Sequence, residues 1–544
     1  MQSPTGYLAS LPVENPTKTF WQSEPDPVIS NYQSAEFLPS ADVVIIGSGL
    51  SGAFIAHRLL SSSSPSRPKS VVILEARNAA SGATGRNGGH IKPDCYRGFT
   101  SYSILHGTDV AKAQCEFEAV NYQETANFIQ ENNLAAEVDL VQYRSADVYL
   151  TPESWKRGLA AYNGFKESGG NVSDINVLSK AEAEESLRVK GCYGAITFPA
   201  ASLWPYKLAV AILRKGLDLG LSLHTDTPVT SVSSDASGPW KVSTPRGAVM
   251  ANSVIHATNG YASYLVPELD GRIIPFKGHV SAITPPPAYM SQPLTTSFAF
   301  ISSDNYDYLI QIPGPEKYLI WGGGEVAHPK GLSGDFGDCD DHQIVSEVES
   351  YIFNAPVEIF KDWGESRASS GTSPESAAAF SWSGIMGLSK DLLPFLGELP
   401  GKPGQYLAGG YHGHVPSSAK PTLTEYENTS GLERTRGGTI LDGLISLKKG
   451  YFVNPRIFVD VKPSMRIYQE EMFDPCAAVL RFQGEDEAVR LANGSMCGFG
   501  SALFTENISR AHNVARRIEA GMVWVNSTND SDFRVPLVES NTVM

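Results

Sequence analysis

The residues best equipped for chemistry lie near the start of the chain. Gly47-Ser48-Gly49-Leu50-Ser51-Gly52 is a G-x-G-x-x-G run. It follows the β-branched stretch ADVVIIG (residues 41–47) and opens AFIAHRLL, which has helical spacing. Each glycine answers a steric demand of dinucleotide binding. Gly47 permits the tight turn out of a strand, Gly49 lets a pyrophosphate approach the backbone, and Gly52 lets helix and strand pack closely. The helix start offers free N–H groups and a partial positive charge to the phosphates. Glu75 lies in the next apolar run, VVILEA (residues 71–76). A carboxylate there accepts from ribose hydroxyls and repels a 2′-phosphate, which selects an FAD- or NAD-like ligand over NADP. Residues 81–90 (SGATGRNGGH) follow, dense in Gly, Asn and Ser, a composition that implies unusual backbone angles and close approach to another group.

These residues need a scaffold, and the pattern around them supplies one. Strand, glycine turn, helix and strand succeed one another within one βαβ unit, with the tract SSSSPSRPKS (61–70) as its break. A helical pattern covers 108–140, a strand-like one 140–152, a second helix 202–220, then short strands to about 260 and a β segment at 313–324. Residues 1–40 read as an irregular lead-in. The chain has 544 residues, room for about three or four domain-sized units. Hydrophobic residues make up 42% and charged residues 19%, which excludes a disordered chain. The net charge of −15 repels phosphate backbones, so nucleic acid is not an expected partner. No uncharged apolar run is long enough to span a bilayer. The N-terminal stretch has no apolar signal core and the C-terminal SNTVM no targeting address, so the cytosol is the expected compartment. Cys95, Cys115, Cys192, Cys339, Cys476 and Cys497 are widely spaced and form no C-x-x-C pair, so neither a disulfide framework nor a metal site is expected.

The block from the glycine turn through VVILEAR to SGATGRNGGH resembles the FAD-dependent oxidoreductases of the D-amino-acid/glycine oxidase family, nearest to a fungal γ-glutamylputrescine-oxidase-like branch. PAASLWPYKLAVAI (199–212), RIIPFKGHV (272–280), FSWSGIMGLSKDLLPFLGELPG (380–401) and GQYLAGGYHGH (404–414) extend the likeness. It implies an α/β fold, with a Rossmann-like FAD-binding domain interleaved over 41–418 with a substrate domain on an antiparallel sheet. It implies oxidation of the carbon of a C–N bond in a small amine or amino acid. For the cofactor, FAD, it implies contacts from Gly47, Ser48, Gly49, Gly52, Glu75, Ala76, Arg77, Thr84, Arg86, Asn87, Gly88, Gly89, Val229, Gly384, Gly410, His412 and Gly413. His90 is a candidate facing the flavin, and Lys277 a candidate near the flavin or a substrate carboxylate; both are taken as catalytic candidates. Trp204 and Tyr206 are read as core packing in preference to pocket lining, and a covalent flavin link is not expected.

After about residue 415 the character changes. PSSAKPTLTEYENTSGLERTRGGT is polar and rich in helix breakers, and 419–449 reads as a linker. The segment 450–544 alternates strands and helices. Its GYFVNPRIFVDVKPSMRIYQEEMFDP (450–475) and EDEAVRLANG…MVWVN (485–526) runs resemble a part of aldehyde dehydrogenase. By that resemblance Glu471 and Phe473 stand where nicotinamide-ribose contacts lie, and Asp474 replaces the usual Gly. The family's catalytic thiol belongs upstream, where this chain reads SSGTSPESAAAFSW (369–382) with no cysteine. Acyl transfer to an enzyme needs an activated nucleophile, so aldehyde dehydrogenase activity is not expected. At the junction, Val415 and Pro416 replace the family's GM and imply a weakened lower support for the flavin. Two further readings stand beside the amine oxidoreductase: a damaged or mispredicted fusion with little activity, and a tail that serves only as a homo-oligomerisation segment.

Overall fold

The structure, a computed structural model, describes residues 7–234, 238–303, 305–363, 378–389, 392–413 and, further on, 440–442, 456–458, 476–478, 480–494, 500–505, 507–520 and 522–526. The chain divides into two units, Met1–Glu427 and Asn428–Met544. The sequence-based remarks on Val415, Pro416, Glu471, Phe473 and Asp474 fall outside the described residues.

The first unit is built on two sheets. One runs in the order β16 (Phe395–Glu398), β17 (Gln405–Gly409), β10 (Gly247–His256), β1 (Ser40–Ile46), β2 (Val71–Leu74) and β7 (Ser222–His224). β17, β10, β1, β2 and β7 are mutually parallel. An antiparallel flap of β9 (Trp240–Thr244) and β8 (Ser231–Ser233) hangs on β10. The continuous apolar runs of β1 and β2 follow from burial on both faces. Val43, Ile45, Val71 and Ile73 join Phe54 and Leu59 of the helix Leu50–Ser61 and Leu208 and Ile212 of the helix Pro205–Asp218. The alternate residues Val44, Ile46, Val72 and Leu74 pack instead with Val242, Val249 and Val254. This period of two is what a pleated strand imposes.

The second sheet runs β15 (Ala378–Ser389), β11 (Ile273–Ile283), β14 (Leu319–Gly322), β13 (Tyr306–Gln311), β12 (Thr296–Ile301), β4 (Val141–Tyr149), β6 (Gly194–Ser202) and β3 (His90–Ile91), with β5 (Asn176–Ser179) on β6. It is antiparallel except where β4 lies parallel to β12, so the expected antiparallel sheet is mixed. Aromatic side chains fill the space behind it: Phe298, Phe300, Trp321 and Phe360 are buried in mutual ring contact.

The lead-in is not a loose segment. The short 3₁₀ turn Phe20–Gln22 is capped by Thr19, and Trp21 is fully buried. Thr17 donates its N–H to the Asp341 carbonyl at 2.8 Å, and the Thr17 hydroxyl accepts from the Ser383 N–H at 3.1 Å. Sequence composition missed this because the segment's partners lie hundreds of positions away.

In the second unit β18 (Ile440–Asp442), β19 (Arg456–Phe458) and β20 (Cys476–Ala478) form one sheet. β21 (Gly500–Leu503), the helix Ile508–Ala515 and the parallel β22 (Met522–Val525) make a β–α–β unit, matching the expected alternation. Arg510 Nε pairs with Glu485 Oε2 at 2.7 Å, tying that helix to the preceding one, Glu485–Ala492. No helix among the described residues is long and apolar enough to cross a membrane.

Candidate active site

β1 delivers the chain to Gly47, whose φ of +106° only glycine adopts without strain. A Cβ there would lie 2.6 Å from the Ala257 carbonyl oxygen, at the end of neighbouring β10. Gly49 caps the helix Leu50–Ser61, and its hydrogen occupies the place where a Cβ would meet Thr84 Oγ1 at 2.9 Å. Thr84 Oγ1 in turn accepts the Leu50 N–H at 2.9 Å. Bare backbone and a helix N-terminus together make a cradle for an anionic group. At the end of β2 the Glu75 carboxylate accepts from Ser48 N and Oγ (2.9 and 2.7 Å) and from Arg77 N (3.0 Å). A carboxylate has about four acceptor sites, so capacity remains for a ribose hydroxyl.

From this cradle a cavity of about 870 Å³ runs along the second sheet. Of the expected cofactor contacts, Gly47, Gly49, Glu75, Ala76, Arg77, Thr84, Arg86, Asn87, Gly88, Val229, Gly384, His412 and Gly413 line it. Ser48, Gly52, Gly89 and Gly410 do not. Ser48 is buried; its hydroxyl donates to Glu75 and accepts from the Ala80 N–H. Gly52 packs on Gly47, and Gly89 on Trp21. Arg77 and Arg86 border the cavity, yet their guanidinium groups are tied inward. Arg77 grips both oxygens of buried Asp341 at 3.0 and 3.1 Å, and Arg86 Nε lies 3.2 Å from the same carboxylate. Burial, with Arg77 beside it, lowers the Arg86 guanidinium to about 10. Burial also acts to lower Arg77, but Asp341 outweighs it and the net shift is upward. Arg86 Nη2 donates to the Thr17 carbonyl (2.7 Å) and Nη1 to the Ser383 carbonyl (2.7 Å). The pair therefore locks the glycine-rich loop 81–90 to the lead-in and to β15.

The expected close approach of the GRNGGH loop is to protein. A Cβ on Gly88 would sit 2.2 Å from the Tyr308 ring. His90, on β3, lines the cavity and meets Tyr308 edge to face at 6.2 Å. Lys277 is not brought to the cavity. On β11 Phe276, Gly278 and Val280 face it, so the alternation of the strand turns Lys277 to the opposite side. There it pairs with Asp338 at 2.5 Å. Trp204 and Tyr206 lie in the core: Trp204 Nε1 donates to the Trp21 carbonyl (2.7 Å), and Tyr206 Oη accepts from Asp26 N (3.1 Å).

The cavity is also lined by ionisable residues that sequence reasoning did not select. Lys92 pairs with Asp147 of β4, which also accepts from Tyr96 Oη at 2.7 Å. Burial opposes the Lys92 charge, but Asp147 raises its proton affinity above the ordinary value. The Arg97 guanidinium lies 4.6 Å from the Tyr306 ring centroid and 3.4 Å from Asp94 Oδ2. Glu325 reaches the wall just past β14. Lys92 and Arg97 follow the glycine loop by a few residues, and that proximity was a usable signal. Glu325 and Tyr308 carried none. Asn259, at φ +44°, holds the closing segment by a reciprocal pair with Tyr411 (2.8 and 3.1 Å).

Residues 42–418 match the FAD dependent oxidoreductase family. The chain belongs to that family. Its cofactor is FAD, and the glycine cradle at Gly47 and Gly49 with Glu75 fits a dinucleotide. The fold is that of glycine oxidase from Geobacillus kaustophilus, with a TM-score of 0.54 at 22% identity over 70% of this chain and 90% of that one. It is also that of L-α-glycerophosphate oxidase from Mycoplasma pneumoniae with FAD bound, at TM-score 0.52 and 14% identity over 70% of this chain and 92% of that one. Residues 416–537 match the aldehyde dehydrogenase family. That match takes in the whole of the segment 419–449 read as a linker. The second unit is similar to aldehyde dehydrogenase [NAD(P)+] 1 of Saccharomyces cerevisiae, 47% identical over 88 residues, 16% of this chain and 17% of that protein. The chain spans only 17–22% of such aldehyde dehydrogenases.

Proposed function

We propose that the first unit oxidises the C–N bond of an amine or amino acid to an imine, which water hydrolyses. One observation carries the reading: a single cavity joins the dinucleotide cradle to a chamber walled by ionisable side chains. FAD, when bound, supplies a two-electron acceptor for the hydride leaving the substrate carbon. The chain's residues do the rest. Gly47, Gly49 and the helix start at Leu50 would hold the phosphates, and Glu75 a ribose. Arg77, Arg86 and Asp341 fix the loop that carries Thr84, Asn87 and Gly88. Phe276, Tyr306, Tyr308 and Phe336 line the chamber with aromatic rings. Lys92 with Asp147 and Arg97 with Asp94 give it polarity at little net charge.

The family likeness to a glycine oxidase supports an amine as substrate class. The second unit is read as contributing no aldehyde oxidation, since the stretch 369–382 carries no cysteine. The test is an absorption spectrum of purified protein followed by anaerobic addition of amines and amino acids. A flavin band bleached by at least one amine is expected. A colourless protein, or a yellow one that no amine bleaches, refutes the reading. Aldehyde with NAD+ is expected to give no NADH absorbance.

A further inference from the structure

We propose that Glu325 receives the substrate's ammonium nitrogen and takes a proton from it before the C–H bond breaks. The inference rests on the amine-oxidation reading above and names the residue that prepares the amine. In that step an N–H bond breaks, an O–H bond forms on the carboxylate, and the electron pair stays on nitrogen. No electron leaves the substrate until the later hydride transfer.

Placement comes first. Glu325 begins the 3₁₀ turn Glu325–Ala327 immediately after β14, and its side chain lines the cavity. Its backbone is held firmly: Gly324, at φ +81°, donates its N–H to Asp307 Oδ1 at 2.8 Å. Tyr308, next along β13 from Asp307, feels the Glu325 charge and also covers Gly88 of the glycine-rich loop. Glu325 and Gly88 thus line the same cavity, with Tyr308 close to both.

Charge comes second. The cations of the cavity wall are already matched: Arg77 and Arg86 by Asp341, Lys92 by Asp147, Arg97 by Asp94. Glu325 has the reverse surroundings. Asp307 faces it from β13 and Asp335 from the following segment, both acidic. Tyr308 of β13 and Tyr351 of the helix Ser346–Ile359 add hydroxyls, not counter-charges. His328 and His279 engage Asp335, at 3.9 and 3.1 Å. Half buried among like charges, the Glu325 carboxyl is pushed up to about 7, burial being the larger cause. Among the described residues no salt bridge reaches it, and a bound ammonium would be its counter-ion.

Proton transfer follows from the same setting. An alkylammonium in water keeps its proton to about pH 10. Desolvation in the chamber lowers that value, and a carboxylate poised near neutrality accepts the proton and releases it again. An ordinary surface glutamate, titrating near 4, is too weak a base for this.

The test uses the yellow holoprotein and two probes of equal length and opposite charge, n-butylammonium and butyrate, titrated calorimetrically at pH 6 and pH 8.5. Butylammonium is expected to bind about tenfold more weakly at pH 6, where Glu325 is mostly protonated. Glu325→Gln is expected to lose at least tenfold at pH 8.5 and to abolish the pH dependence, with Glu325→Asp retaining both in part. An unchanged flavin spectrum certifies the fold of each variant. Butyrate binding as tightly as butylammonium, a flat pH dependence in the unaltered protein, or an unaffected Glu325→Gln overturns the proposal. A colourless preparation refutes instead the redox reading beneath it.

Discussion

Replacing Asp341 by alanine strips two guanidinium groups of the carboxylate they share. Three contacts vanish: Arg77 to each oxygen at 3.0 and 3.1 Å, and Arg86 Nε at 3.2 Å. At about 1.5–3 kcal/mol for a bond to a charged group, they sum to about 4.5–9 kcal/mol. Part of that is recovered. Arg77 keeps the carbonyls of Val13 and Ser81, and Arg86 those of Thr17, Ser81 and Ser383. Two buried positive charges nonetheless face each other with no anion between them. The expected net loss is about 3–5 kcal/mol, the range for breaking a buried pair from one side. Asp341→Asn, which keeps one oxygen acceptor, should lose about half as much. The assay is urea titration with flavin fluorescence on release as the signal, since release reports the first unit alone. A loss below about 1 kcal/mol for Asp341→Ala would show that backbone carbonyls suffice and that the shared carboxylate does not hold the loop.

Gly88→Ala places a methyl group 2.2 Å from the Tyr308 ring; overpacking of about 1–3 kcal/mol is expected, read as faster flavin release on dilution. The double variant with Tyr308→Ala should recover part of that loss. Asp147→Ala leaves Lys92 buried without its anion; destabilisation of about 3–5 kcal/mol is expected by the same urea assay, and Lys92→Met in the same chain should relieve it. Asp307 and Glu325 are pushed up to about 6 and about 7 by burial. Their folded-state values exceed the unfolded ones, so both favour the fold at low pH, and that contribution is lost as pH rises from about 4 to 7. Glu325→Gln should therefore stabilise the protein by roughly 1–3 kcal/mol at pH 8 and not at pH 4, in thermal melts at the two values.

The geometry of the glycine turn was legible because its demands are local. Gly47, Gly49 and Glu75 are fixed by a strand, a turn and a helix within one short span, and each type has a single physical use there. Lys277 shows where such reading stops. A side chain on a strand faces one way or the other, and the sequence does not say which side carries the cavity: Phe276 and Gly278, which were not selected, line it and Lys277 does not. The glycines at 88 and 89 were correctly read as sites of close approach, yet the approaching groups are Tyr308 and Trp21, from distant strands and turns. Glu325 was invisible for the same reason: a glutamate after a short strand has no signature until the fold sets Asp307 and Asp335 around it. Trp204 and Tyr206, by contrast, followed their apolar helix into the core as their spacing implied.

The ties between the lead-in and the far end of the unit have a consequence for how the protein is made. Thr17 meets Asp341 and Ser383 across separations of 324 and 366 residues. Trp21 and Gln22 hold Asn87 and Gly85 of the glycine-rich loop, and Arg86 in that loop clasps Thr17 and Ser383. A ribosome therefore releases the glycine turn, the helix and the first strands long before it releases the residues that set the loop. Such distant closures come late in assembly. FAD capture is expected only once residue 383 has emerged, and a nascent chain arrested before it should carry β10, β1, β2 and β7 without β17 and no flavin of its own.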